Sequence, residues 1–246
     1  MAYQKVAFVL DYSICYNLVM KRMTLFDDDV MIGVSDIYDG NMRYFDEGDE
    51  NEIINNQGKL GELVNLDGNR IARLRTIYEG RESFTDYFEI AEDNLEEYCI
   101  NNSEIMIPIS DGLVTKSLDV GILLPLADCI GIVIYDEKRR IVGLLHAGRH
   151  NVEQFGPKKF VDFLVKDFGC EVKDLKVFYS PHAVNYKLAK NDKKMADFAT
   201  EQLLNEGVLP KNITDSKIDT VSDEDYPSHS NGDAKTRFAV IVKRTD

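Results

Sequence analysis

The stretch Val120–Gly148, VGILLPLADCIGIVIYDEKRRIVGLLHAG, decides how the chain folds. Ile122 to Tyr135 is apolar on both alternating faces, the pattern of a strand covered on both sides. Asp136-Glu137-Lys138-Arg139-Arg140 is a charged turn, and Ile141 to His146 is a second apolar strand. The two read as a hairpin inside a sheet. With a four-residue loop from Asp136 to Arg139, Tyr135 faces Arg140, Ile134 faces Ile141 and Cys129 faces His146. Opposed side chains share one face with Cβ atoms about 4.5–5.5 Å apart. That spacing suits a Cys–His nucleophile pair or two ligands of one metal ion. Asp128 adds a carboxylate beside the thiol, and inside an apolar run it needs a hydrogen-bonding partner.

Toward the C-terminus, Pro157 to Phe168 reads as a helix, with Pro157 in its first turn, Gly169 as its stop, and Phe160, Phe163, Leu164 and Phe168 as its apolar stripe. Leu175 to Tyr179 is a strand. Asn191 to Glu206 is a helix with Met195, Phe198, Ala199 and Leu203 inward, and Thr236 to Lys243 is a terminal strand. Toward the N-terminus, Val6 to Leu10, Val30 to Val34 and Ile71 to Tyr78 read as strands. Glu50 to Leu63 has weak helical character, and Asp86 to Tyr98 reads as an acidic helix. Strands and helices mix without regular alternation, which predicts an α+β layered sandwich with a mixed sheet, in one domain over residues 1–246.

With 246 residues, 44% hydrophobic and 29% charged, the chain is long enough to bury a core without disulfides. It carries 29 basic and 43 acidic residues, a net charge of −14, so a phosphate-backbone interface of clustered cations is disfavoured and no nucleic-acid partner is expected. No run approaches the roughly 20 apolar residues of a membrane span, and no signal-peptide pattern opens the chain. Cys15, Cys99, Cys129 and Cys170 form no C-x-x-C pair, which suits reduced thiols and a cytoplasmic location. Cys15, Cys99 and Cys170 read as structural. Any imidazole chemistry must come from His146, His150, His182 or His229.

Leu126-Ala127-Asp128-Cys129, an apolar strand, a turn and His146-Ala147-Gly148 resemble the laccase-domain family, also called multicopper polyphenol oxidase. Its pattern runs A-D-C, strand, turn, H-A-G-W-R-G. Ser110-Asp111-Gly112-Leu113-Val114-Thr115 resembles its A-D-A-L-V-T, and Gly33-Val34-Ser35 with Asn41 resembles its G-V-S and N-L segments. Ser180-Pro181-His182 with Tyr186, then Tyr226 to Ser230 and Lys235-Thr236-Arg237, resemble its later motifs in order. The likeness spans most of the chain.

The resemblance implies a mixed α/β sandwich of cysteine-hydrolase-like type with a His-Cys-His metal site, zinc being the favoured ion and copper the lesser candidate. It implies phosphorolysis of adenosine, inosine, guanosine or methylthioadenosine to a free base and ribose 1-phosphate, with adenosine deamination as a second reaction. Cys129 and His146 match two of the ligands. Tyr78, in Thr76-Ile77-Tyr78-Glu79, stands where the family has the His of Q-x-H-G. The chain has no Trp, and Ser228-His229-Ser230 lacks the arginines of the family's S-x-R-R. Arg149 and Arg237 are candidates for holding phosphate, because a guanidinium fork matches its oxygens. His182 is a candidate for lining the pocket. Catalytic candidates are Cys129, His146 and Asp128, and Asp111 is a further group able to orient an imidazole. The expected partners are a small nucleoside and phosphate, with no membrane and with oligomeric state open. Two alternatives stand beside the phosphorylase: a metal-free Cys–His hydrolase or deamidase, and a non-catalytic member with a decayed site.

Overall fold

Alternate side chains of single strands feed different cores, and this stacks the protein in layers. The computed structural model describes residues 21–43, 49–103, 106–233 and 235–245; the Val6 to Leu10 strand lies outside them. One sheet contains β1 (Lys21–Leu25), β2 (Val30–Val34), β3 (Ile71–Arg73), β6 (Gly121–Leu126) and β11 (Phe238–Arg244), in the order β1-β2-β11-β6-β3. The other contains β4 (Tyr87–Ile90), β5 (Gly112–Thr115), β7 (Ile130–Asp136), β8 (Ile141–Ala147), β9 (Lys176–Tyr179) and β10 (Ile213–Asp215), in the order β10-β9-β7-β8-β5-β4. Both are mixed: β3 runs parallel to β6, β4 to β5 and β10 to β9, among antiparallel neighbours.

The inner core lies between the sheets. Ile32, Ile122, Leu124 and Val240 face Val133, Tyr135, Leu144 and Phe178. The intervening residues turn outward. Leu123 and Ile241 pack with Leu60 of helix α1 (Glu50–Leu63) and with Val64, which caps it. Ile132, Ile134 and Leu145 pack under two further helices. These follow the short helices α2 (Leu95–Tyr98) and α3 (Arg149–Glu153) in the chain: α4 (Gly156–Phe168) supplies Phe160 and Leu164, and α5 (Met195–Glu206) supplies Ala199 and Leu203. The architecture is a mixed α/β sandwich, helix–sheet–sheet–helix. Phe160 lies so close to β5 and β8 that a Cβ on Gly112 or Gly143 would stand 2.8 or 2.9 Å from its ring. Among the described residues no helix is long and apolar enough to cross a membrane.

Five expectations are corrected. The single strand Ile122 to Tyr135 is two, β6 in one sheet and β7 in the other, joined by Ala127-Asp128-Cys129 with Asp128 at φ 70°. The hairpin keeps its four-residue loop but sets it one position later, Glu137 to Arg140, so Asp136 pairs with Ile141 and His146 with Gly131. Asp136 accepts a hydrogen bond from Arg139 N at 3.0 Å, and Arg140 closes the turn at φ 51°. The shift moves the pairing by two residues, so the parity of the faces survives. Asp86 to Tyr98 is not one helix. Tyr87–Ile90 joins the sheet edge, and the Asn94 side chain accepts from Ala91 N and donates to Glu89 O, which fixes a turn before α2. Finally, α5 begins at Met195 rather than Asn191, and the Ile71 strand ends at Arg73.

Candidate active site

The crossing between the sheets builds the site. A left-handed backbone costs a residue other than glycine about 1–3 kcal/mol, and Asp is among the side chains that tolerate it best. Three distant segments hold Asp128 there. Its carbonyl accepts from Ala183 N at 3.0 Å, one carboxylate oxygen from Thr220 Oγ1 at 2.8 Å, and the other from Ser230 N at 2.6 Å. The carboxylate expected beside the thiol is therefore an anchor for the segment carrying His229 and Ser230. Cys129 follows, just before β7, and lines a pocket of about 440 Å³.

His146 is the penultimate residue of β8, 4% exposed, with its backbone N–H donating to Asp111 O at 2.8 Å. Gly148 then opens α3. A Cβ there would stand 3.0 Å from His146 Nε2 and 3.1 Å from Cys129 Sγ, so both atoms border the same bare patch of backbone. Across it, the Tyr78 hydroxyl lies 3.3 Å from His146 Nε2, and it is near enough to the Cys129 thiol for each to shift the other's protonation. Arg81 braces the loop that carries Tyr78, gripping Asp111 at 2.6 and 3.2 Å and Asp86 at 2.7 Å. Asp111 thus orients this loop through Arg81, and it touches His146 only through its main chain.

Burial governs protonation here. It pushes the Cys129 thiol up to about 11, with the Asp128 carboxylate acting in the same direction. It lowers His146 to about 3, reinforced by Arg43, Arg81 and Arg237. It raises the Tyr78 phenol as well, and the neighbouring thiol adds to the shift. At neutral pH the trio is a thiol, a neutral imidazole and a phenol. The surrounding charge is positive: Arg43, Arg149 and Arg237 all line the pocket. Arg237 is depressed by burial and then by Arg43. One side chain seats both of these arginines: Asn41 Oδ1 accepts from Arg43 N at 3.1 Å and from Arg237 N at 3.0 Å. Arg149 stands exposed on the rim with Nη2 3.2 Å from His150 Nε2.

An aromatic wall completes the cavity. His150 stacks on Phe84 at 4.8 Å between centroids, Tyr78 lies 5.8 Å from each of the two, and Tyr186 and Met195 line the pocket too. The structure thus brings together Cys129, His146, Asp128, Tyr78, Arg149 and Arg237 from the sequence-derived set. It does not bring His182, which is fully buried under β9, with Nδ1 2.8 Å from Ser180 O and its ring edge-on to Tyr179. The Pro181 turn directs this imidazole inward rather than into the cavity. The sequence reading missed Arg43 as a pocket residue, although the Asn41 two positions earlier was already marked. His150, noted only for its imidazole, proves to be part of the aromatic wall.

The donors do not make a metal site. Among the described residues no group of three His, Cys, Asp or Glu side chains is placed to hold an ion. A catalytic zinc site normally takes three protein ligands plus water. Here Cys129 and His146 supply two, a protonated phenol takes the third place, and the arginines oppose a dication.

A sequence profile described as "Multi-copper polyphenol oxidoreductase laccase" matches residues 31–189. A purine nucleoside phosphorylase of Borreliella burgdorferi is 33% identical over 124 residues, covering 50% of each chain. A probable chemoreceptor glutamine deamidase CheD of Desulforamulus reducens is 35% identical over 83 residues, 32% of this chain and 50% of that one. The chain thus spans about half the length of these curated relatives. Among solved structures, YlmD of Geobacillus stearothermophilus superposes with a TM-score of 0.75 at 16% identity, covering 89% of this chain and 93% of that one, which is a likeness of fold. With more than half its length matched by the profile, the chain belongs to the multi-copper polyphenol oxidoreductase laccase, or laccase-domain, family.

Proposed function

We propose that the pocket binds a purine nucleoside and inorganic phosphate and transfers the ribosyl group from base to phosphate. The observation that carries this reading is the convergence of Arg43, Arg149 and Arg237 on a cavity walled by aromatic rings. Arg43 and Arg237 repel one another and share one anchor, so an anion between them is stabilised by both. A purine stacks on Tyr78 and His150, and ribose lies between base and phosphate. An oxygen of hydrogen phosphate forms the new bond to the anomeric carbon as the glycosidic C–N bond breaks, and its electron pair goes to the purine ring. The phosphate proton ends on a ring nitrogen, passed by the Tyr78 hydroxyl. Neutral His146, its Nε2 3.3 Å from that hydroxyl, holds it in place. Adenosine, inosine, guanosine and methylthioadenosine are the substrates to try. Zinc, the ion the family likeness suggests, finds two donors here, Cys129 and His146.

A second reading rests on the thiol and imidazole bordering one patch of backbone, and on likeness to a chain named as a deamidase. Cys129 would then be a nucleophile toward an amide. A thiol pushed up to about 11 beside an imidazole lowered to about 3 is not the ion pair such a nucleophile needs at rest, so this reading comes second.

The test is release of free base from these nucleosides with and without phosphate, in chelator. Phosphate-dependent release, with Arg237→Gln raising KM for phosphate by roughly 10- to 100-fold (about 1.5–3 kcal/mol for a charge-assisted contact), supports the proposal. Phosphate-independent ammonia release from a glutamine substrate, abolished by Cys129→Ala, selects the second reading. A folded protein that binds nucleoside without turnover makes it a non-catalytic member.

A further inference from the structure

We infer that Tyr78 has taken the place of the third metal donor and that this protein works with no metal, the Tyr78 hydroxyl being held against His146 Nε2 beside the Cys129 thiol. The geometry supplies four reasons. The Tyr78 hydroxyl, 3.3 Å from His146 Nε2, engages the nitrogen that borders the Cys129 sulfur across Gly148. Asp128, adjoining Cys129 in the chain, has both oxygens engaged by Thr220 and Ser230. The other imidazoles do not join Cys129 and His146 in a donor group: His150 lines the pocket but stacks on Phe84 with Nε2 against Arg149, His182 is buried away from it, and His229 sits exposed on the rim. The cations lining the pocket, Arg43, Arg149 and Arg237, suit an anion and repel a divalent ion. The inference stands apart from the choice of substrate, because it concerns what holds the trio together.

The test is direct metal binding by the full chain. Cobalt(II) titration of the wild type is expected to give no thiolate-to-cobalt charge-transfer band, and elemental analysis of purified protein no stoichiometric zinc or copper. Tyr78→His is expected to gain the band at one ion per chain, and to lose it again when Cys129→Ser is added. Tyr78→Phe is expected to stay without metal, since removing the hydroxyl adds no donor. Alkylation of Cys129 in the wild type gives a second readout independent of any variant's folding, and zinc is expected to leave its rate unchanged. The inference is overturned by stoichiometric uptake in the wild type, whether abolished by Cys129→Ser or by His229→Ala. Zinc protection of Cys129 in the wild type overturns it equally, as does a folded Tyr78→His that binds no cobalt. None of these readings uses turnover, so a failure of the phosphorolysis proposal leaves them intact.

Discussion

At the scale of single residues, Asp128 and His146 carry most of the site's stress. Asp128 combines a φ of 70° with hydrogen bonds to Thr220 and Ser230. Asp128→Ala is expected to cost about 2–4 kcal/mol, from a left-handed backbone on a poorer residue and the loss of two buried acceptors. Asp128→Asn keeps the backbone tolerance and one acceptor and is expected to cost less than half as much; urea unfolding of both variants checks this. His146 is lowered from 6.5 to about 3, chiefly by burial and then by Arg43, Arg81 and Arg237. Below pH 6.5 the unfolded chain gains a proton there that the folded chain refuses, so stability is lost as pH falls toward 3 and is unaffected above 6.5. The slope from this group approaches about 1.4 kcal/mol per pH unit. His146→Gln should flatten the fall in urea midpoint between pH 6.5 and 4.5 relative to wild type; a variant curve parallel to wild type would show that His146 is not held neutral.

Among elements, α4 is docked by absence of side chains beneath it. Phe160 rests where Gly112 and Gly143 leave the sheet bare, and a Cβ at Gly143 would also stand 2.9 Å from Val114 Cγ1. Gly143→Ala is expected to destabilise by about 1–3 kcal/mol through overpacking. Adding Phe160→Leu should make the double variant's loss smaller than the sum of the two singles, a coupling readable in a double-mutant cycle. The helix itself was legible in the sequence, because Pro157, Gly169 and the phenylalanine stripe bound it locally. The hairpin was legible too, and even its face parity, because the charged run Asp136 to Arg140 fixes the loop to within one position. The break at Ala127 to Cys129 was not. An apolar run on both sides of Asp128 has the same pattern whether it stays in one sheet or passes between two, and only the distant Ala183, Thr220 and Ser230 decide. For the same reason the thiol–imidazole neighbourhood could be read from Cys129 and His146, whereas Arg43 could not: its place depends on Asn41 tying it to Arg237 far along the chain.

Over the whole molecule, the pocket lies across the seam between the sheets. Pro125 and Leu126 of β6 and Arg237 before β11 come from one sheet; Cys129 before β7 and His146 of β8 come from the other. A ligand selective for the folded state stabilises it by about 2.7 kcal/mol at one hundred times its dissociation constant. In a chain of this size each kcal/mol is roughly 2–4 °C in melting temperature. Phosphate with a nucleoside is therefore expected to raise the melting temperature by several degrees in wild type, and by little in Arg237→Gln, by differential scanning calorimetry. An equal rise in both would place the anion elsewhere. The three-residue crossing gives this a mechanical side. A molecule gripping Arg237 and His146 together is a rivet through both leaves of the sandwich. Peeling the leaves apart then requires tearing it out, so occupancy becomes readable as resistance to delamination, with no assay of chemistry at all.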